Sequence, residues 1–269
     1  MVDLISSARN PIVKRIRLLA DRRHRRREGA FVVMGIQPVW QAVEAGAKIE
    51  TLVLAPELLH SAPAAGMVAA QEAAGVPVAR LTGELFARLA DRDAPAGLAA
   101  IVRACPSSLA ELPVGPGSLF VALHEVGNPG NLGSVVRTAD AAGAGGVILV
   151  GHTTDPYDPV AVKATMGAVF QLPIARSATV DELFAWATGR GVTVATASPG
   201  AADDLWTAPC PLPLAYLLGS EGEGLPPEVL ARGDVQVRIP ILGRAESLNL
   251  AVAAGVLLYE ARRRSRPAP

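Results

Sequence analysis

Five stretches in the second half of the chain, LFVAL, GGVILV, VTVATA, LAYLLG and VQVRIPI, are apolar at nearly every position, and each is followed by a loop and a helical segment. A strand that is apolar on both of its faces has to be covered on both. The arrangement that covers it is a parallel sheet between layers of helices. In such α/β sheets ligands sit outside the carboxyl ends of the strands, where loops turn into helices. The loops after these strands are therefore where function is sought.

The first half alternates on a smaller scale: FVVMG, PVWQAVEAG, TLVLA, a helical stretch near Ala64 to Ala74, PVARL, another near Gly83 to Leu89, and GLAAIVRA. Short β-runs separated by helices predict a small α/β domain over 1–104. The Pro-, Ser- and Gly-rich CPSSLAELPVGPG reads as a linker over 105–117, leaving 118–269 for the second domain. A length of 269 residues suits two domains.

The formal charge is zero, yet Arg9 to Arg27 holds nine Lys or Arg against one Asp. Ile12, Ile16 and Leu19 share one face there, as in a solvated amphipathic helix. The density of RRHRRR instead favours an arm that contacts a polyanion through Arg22, Arg23, Arg25, Arg26 and Arg27. Breakers or charges interrupt every window of eighteen residues, which argues against a membrane span. MVDLISSARNP has no apolar run before a small-residue cleavage site, and Cys105 and Cys210 are far apart and flanked by prolines. A cytoplasmic protein without a disulfide framework is expected. His24, His60, His124 and His152 lack metal-ligand spacing, so no metal is expected.

Three loops stand out. HEVGNPGNLGSVVRTADAAG, His124 to Gly143, has glycines at 127, 130 and 133, with Asn131 and Arg137 at a strand-to-helix turn. It contains neither G-x-G-x-x-G nor a Gly-Lys-Ser/Thr, which disfavours a nicotinamide-dependent oxidoreductase and a P-loop enzyme. LLGSEGEGLPPEVL, Leu217 to Leu230, carries Glu221 and Glu223 among glycines, and Pro226 or Pro227 starts the next helix. IPILGRAESLNLAVAAG, Ile239 to Gly255, offers backbone from Ile239 to Leu242 to an adenine-like edge. It then presents Ser247, a candidate N-cap, and Asn249 at the start of an apolar helix running from Leu248 to about Arg264.

In order and spacing, N-x-G-x-x-x-R-T-A, G-S-E-G-x-G and I-P-x-x-G-x-x-x-S-L-N-x-x-V-A-A resemble the three motifs of the SpoU (TrmH-like) RNA ribose 2'-O-methyltransferases of the SPOUT superfamily, over Leu123 to Glu260. The N-terminal half is similar to the L30e-like RNA-binding domain found in the rRNA-modifying branch. Met34 stands where the family commonly has Glu, and Asn128 where Asp often precedes Pro. The resemblance implies an α/β trefoil knot, a homodimer, and S-adenosylmethionine as cofactor. Carried over residue by residue, Thr196, Gly219, Ile239 and Leu248 would contact the cofactor, and Asn131, Arg137, Glu221, Ser247 and Asn249 would form the polar catalytic centre.

A guanidinium keeps its proton in proteins, so Arg137 is read as a hold on ribose or phosphate, with Glu221 orienting it and Asn131 or Asn249 fixing the attacking oxygen. The separate N-terminal domain and its basic arm favour rRNA over tRNA as substrate. An RNA-binding assembly factor that lost catalysis would be expected to lack Arg137 or Asn131, and both are present.

Overall fold

Alternation along FVVM decides the first sheet: Phe31 and Val33 enter one core, and Val32 enters another on the opposite face. In the computed structural model, which describes residues 4–90 and 95–265, the chain divides into two units. The terminal limits expected for the domains, residues 1 and 269, lie outside the described residues.

The first unit holds α1 (Pro11–Leu18), α2 (Arg22–Glu28), β1 (Ala30–Met34), α3 (Ile36–Glu44), β2 (Ile49–Leu54), α4 (Ala62–Ala73), β3 (Val78–Arg80), α5 (Gly83–Ala90) and β4 (Leu98–Arg103). Its sheet runs β1-β4-β2-β3, antiparallel except for the β2–β3 pair. Val13, Ile16 and Leu19, at helical spacing around α1, pack with Leu85 and Phe86 of α5 on one face. Val39 of α3 and Val68 of α4 pack on the other.

The rest of the chain supplies β5 (Ser107–Ser108), β6 (Leu119–His124), α6 (Pro129–Ala141), β7 (Gly146–Val150), α7 (Pro159–Thr165), β8 (Ile174–Ser177), α8 (Val180–Arg190), β9 (Thr193–Ala197), β10 (Asp203–Asp204), β11 (Leu214–Leu218), α9 (Pro227–Leu230), β12 (Val235–Arg238) and α10 (Leu250–Ser265). Eight strands form one wholly parallel sheet in the order β10-β12-β9-β11-β6-β7-β8-β5. The five apolar stretches are its centre, and every residue of β6, β7 and β11 is buried. Among the described residues no helix is long and apolar enough to cross a membrane.

Two expectations are corrected. The stretch 105–117 is not a free linker: Ser107 and Ser108 pair in parallel with β8, Ser108 and Glu111 cap a short 3-10 turn, and Leu109 and Leu112 are buried in the second unit's core. Nor do the units divide cleanly at residue 104. Tyr157–Phe170, carrying α7, leaves the second series and belongs to the first unit. There the rings of Tyr157 and Phe170 lie 4.7 and 6.1 Å from that of Phe31, and Val162 enters the core beside Phe31 and Val33. Gly167, at φ 96°, sits so close to Gln41 that a Cβ would fall 2.0 Å from its Oε1.

Candidate active site

The sheet order sets β12, β9, β11 and β6 side by side, which gathers the loops at their carboxyl ends. After β6, Asn128 caps α6 by accepting from the Asn131 N–H at 3.0 Å, with Pro129 in the first turn. An Asn serves this acceptor role as an Asp would, so the departure from the family pattern leaves the helix start intact. Capping places Asn131 in the first turn of α6. Its Nδ2 donates to Glu221 Oε1 at 2.9 Å, and its Oδ1 accepts from Asn249 Nδ2 at 3.0 Å. Asn249 Oδ1 in turn accepts from the N–H groups of Ala251 and Val252 at 2.9 and 3.4 Å. One hydrogen-bonded chain thus ties all three loops together. Asn249, rather than Ser247, caps α10, which begins at Leu250.

The loop after β11 closes on itself. A bridge pairs Ser220 with Gly224, and the Gly224 N–H donates to the Ser220 carbonyl at 3.0 Å. A Cβ on Gly219 would lie 1.9 Å from the carbonyl carbon of Gly224, so only glycine fits there.

These loops enclose a cleft of about 520 Å³, of the size that takes a small-molecule ligand. Leu218, Ile239, Leu248 and Leu250 give it apolar walls, while Ser198, Glu221, Glu223, Ser247 and Asn249 provide polar groups. Two carboxylates and no Lys or Arg line it. It therefore favours a cationic ligand with an apolar body and is poorly suited to a phosphate-rich one. S-Adenosylmethionine, a sulfonium cation attached to an adenosine, fits that donor set.

Of the expected cofactor contacts, Gly219, Ile239 and Leu248 line the cleft. Thr196 does not. It is fully buried, and its hydroxyl donates to the Leu230 carbonyl at 2.9 Å. Of the expected catalytic centre, Asn131, Glu221, Ser247 and Asn249 come together. Arg137 does not join them within one chain: six residues along α6 from Asn131, it faces about 120° away. It is exposed, outside the cleft lining, and without a side-chain hydrogen bond or ion pair among the described residues. Glu221 consequently orients Asn131 rather than Arg137. Ser198 and Pro199 also line the cleft and were missed, although their place just past VTVATA, at a strand's carboxyl end, was the available signal.

In the basic arm the five arginines part company. Arg22, Arg23, Arg26 and Arg27 are exposed, and Arg27 lies 3.7 Å from Glu28. Arg25 is corrected: only 4% exposed, it donates to the carbonyls of Leu19 and Ala20 at 3.0 and 2.7 Å and pairs with Asp158 at 3.5 Å. It is structural.

Comparison with known proteins matches residues 118–259 to the SpoU rRNA Methylase family and residues 10–100 to the MRM3-like substrate binding domain. The chain is 35% identical over 260 residues to a 23S rRNA (uridine(2479)-2'-O)-methyltransferase of Streptomyces viridochromogenes, covering 91% of this chain and 86% of that one. It is 28% identical to the 23S rRNA (guanosine(2553)-2'-O)-methyltransferase RlmP of Bacillus subtilis, covering 96% and 98%. Among solved structures, an AdoMet-bound rRNA methyltransferase from Sinorhizobium meliloti superposes with a TM-score of 0.89 at 39% identity, covering 98% of this chain and 99% of that one.

Proposed function

Because the chain belongs to the SpoU rRNA methylase family, we propose that it is a methyltransferase that moves a methyl group from S-adenosylmethionine to a ribose 2'-hydroxyl of RNA. The observation that carries this reading is the acid-lined, cation-free cleft closed by the Asn249–Asn131–Glu221 chain. The cofactor supplies a methyl group made electrophilic by a positively charged sulfur. Ile239, Leu248 and the turn from Gly219 to Gly224 would hold its body, and Glu221 and Glu223 favour its charge. Asn131 and Asn249 keep the three loops in register, which is the main demand of a reaction that needs in-line alignment. Ser247 has no side-chain hydrogen bond among the described residues, which leaves its hydroxyl for the ribose. Arg137 grips ribose or phosphate oxygens of the RNA with its two-pronged guanidinium, while the 2'-hydroxyl proton leaves to phosphate or water.

Ribosomal RNA is the better substrate than tRNA on this reading, because relatives spanning nearly the whole chain are named for 23S rRNA. Those two act on a uridine and a guanosine, so the family does not dictate the base. The cytoplasm follows as the place of work. A homodimer is supported by α10, where Val252, Val256 and Tyr259 form an exposed apolar row at i, i+4 and i+7 while Ala254, Leu257, Leu258 and Ala261 are buried behind them. A trefoil knot is what membership of the family implies for this chain. Sedimentation should give twice the chain mass at micromolar concentration, reduced to one by Val256→Arg with Tyr259→Arg.

The deciding experiment pairs calorimetry of S-adenosylmethionine with label transfer to 23S rRNA and tRNA, followed by mapping of 2'-O-methyl positions. Binding and transfer to 23S rRNA are expected. Absence of both binding and transfer to any RNA would overturn the reading. Arg137→Ala should abolish transfer while cofactor affinity stays within a few fold, since Arg137 lies outside the cofactor cleft.

A further inference from the structure

The basic arm is built as a cross-bolted pair of helices. Arg15 on α1 donates through Nε to Glu28 at the end of α2, at 2.9 Å, and through Nη2 to Glu50 on β2, at 2.6 Å. Arg25 on α2 reaches back to the carbonyls that end α1, those of Leu19 and Ala20. These contacts fix the two short helices against each other and against the first unit's sheet.

The neighbouring carboxylates are also engaged. Asp21 caps α2 and faces His24 at 3.2 Å, Glu28 takes Arg15 and Arg27, and Glu50 takes Arg15 and Arg103. What the pair of helices leaves exposed is mostly cationic: Lys14 and Arg17 on α1, and Arg22, Arg23 and Arg26 on α2, beside Leu18 and beside Arg27, which already faces Glu28 at 3.7 Å. None of the five named first has a side-chain hydrogen bond or ion pair among the described residues. Of the apolar residues here, Val13, Ile16 and Leu19 are buried in the core, which leaves Leu18 as the one large apolar side chain that the two helices expose, too little to enter a lipid surface. A membrane is therefore the wrong partner, whereas a phosphodiester chain, which presents charge without needing an apolar contact, suits the surface.

We propose that the outward face of α1 and α2 is a clamp for the phosphate backbone of RNA, formed by Lys14, Arg17, Arg22, Arg23 and Arg26, while Arg15 and Arg25 build the clamp without touching RNA and the exposed Arg27, already opposite Glu28, adds no phosphate contact. The proposal rests on the RNA reading above, and it divides a run of arginines that are alike in sequence into two groups with different tasks. Because the two helices are held before binding, little backbone ordering remains when RNA arrives, and only the five side chains have still to be fixed.

The test uses the full-length protein with in vitro transcribed 23S rRNA and with oligo(U), and measures affinity over a salt series. Lys14→Ala with Arg17→Ala should lower the slope of log affinity against log salt by about 1.4–1.8, and Arg22→Ala with Arg23→Ala and Arg26→Ala by about 2.1–2.7, at roughly 0.7–0.9 for each phosphate no longer neutralised. S-Adenosylmethionine affinity and melting temperature should match the parent in both. Arg27→Ala should leave the slope unchanged, and Arg25→Ala should lower the melting temperature. Unchanged slopes in both multiple variants, with RNA binding and methyl transfer intact, would overturn the clamp and leave the enzymatic reading standing. A slope change in Arg27→Ala as large as in Arg26→Ala would overturn the division of labour. Failure of the parent protein to bind RNA at any salt concentration would overturn clamp and RNA reading alike.

Discussion

Asn131 uses both ends of its amide inside the protein, donating to Glu221 and accepting from Asn249. Asn131→Asp keeps the shape and replaces the donor by a second carboxylate beside Glu221. Loss of a hydrogen bond to a charged group costs about 1.5–3 kcal/mol, so kcat/KM at pH 8 should fall at least about tenfold. Two adjacent carboxylates share a proton more readily as pH falls, and the shared proton restores the missing donor. The deficit against the parent enzyme should therefore narrow toward pH 5, and a pH–rate profile for both proteins checks this. A deficit equal at both pH values would mean that the Glu221 contact is not what the substitution disturbs. The sequence brought Asn131, Glu221 and Asn249 to one site, but its pairing of Glu221 with Arg137 failed. Which of two polar residues on a helix meets a distant carboxylate depends on helical phase, and six residues displace Arg137 by roughly a third of a turn from Asn131.

Two elements frame the cleft, and each can be tested by a contrast. In the turn after β11, a Cβ at Gly219 would collide with backbone that has no rotamer to yield, whereas one at Gly222 meets nothing within 4 Å. Gly219→Ala should cost more than about 3 kcal/mol and close the cleft to cofactor. Gly222→Ala should stay within about 0.5 kcal/mol, as read by urea unfolding and calorimetry. At the far end of α10, Arg262 donates to the carbonyls of Ala142, Gly143 and Gly117, and Arg264 to those of Leu205 and Ala208. Glu260 steadies that end. The guanidinium of Arg263, then that of Arg264, holds its carboxyl at about 2, below the ordinary 4.5. A depressed carboxyl contributes stability that is fully present above pH 4.5 and fades as pH falls toward 2. Glu260→Gln should flatten stability over that window, and urea midpoints between pH 5 and pH 2.5 would show it. The long apolar strands were legible because their hydrophobicity is uninterrupted. Ser107–Ser108 and Asp203–Asp204 were not, since a two-residue strand has no periodicity and is made by its neighbours.

At the scale of the whole molecule, two α/β units and a parallel second sheet were readable from sequence, but the first unit's composition was not. PYDPVAVKATMGAVF looks like one more loop and helix of the second series, and nothing local announces that Tyr157, Val162 and Phe170 cover Phe31. A fragment of residues 1–105 should consequently be less stable by at least about 3 kcal/mol than the same fragment joined through a Gly/Ser linker to 157–170. Equal urea midpoints would refute this. The interleaving also sets a timetable for synthesis. The ribosome releases residues 1–105 early, yet the segment that completes their core follows only after residue 170 has been added. At about 5–20 residues per second that is a delay of roughly 3 to 13 s. During it Phe31 lacks its aromatic cover, and stalled nascent chains ending near residue 150 should be cut by protease faster than those ending near 220.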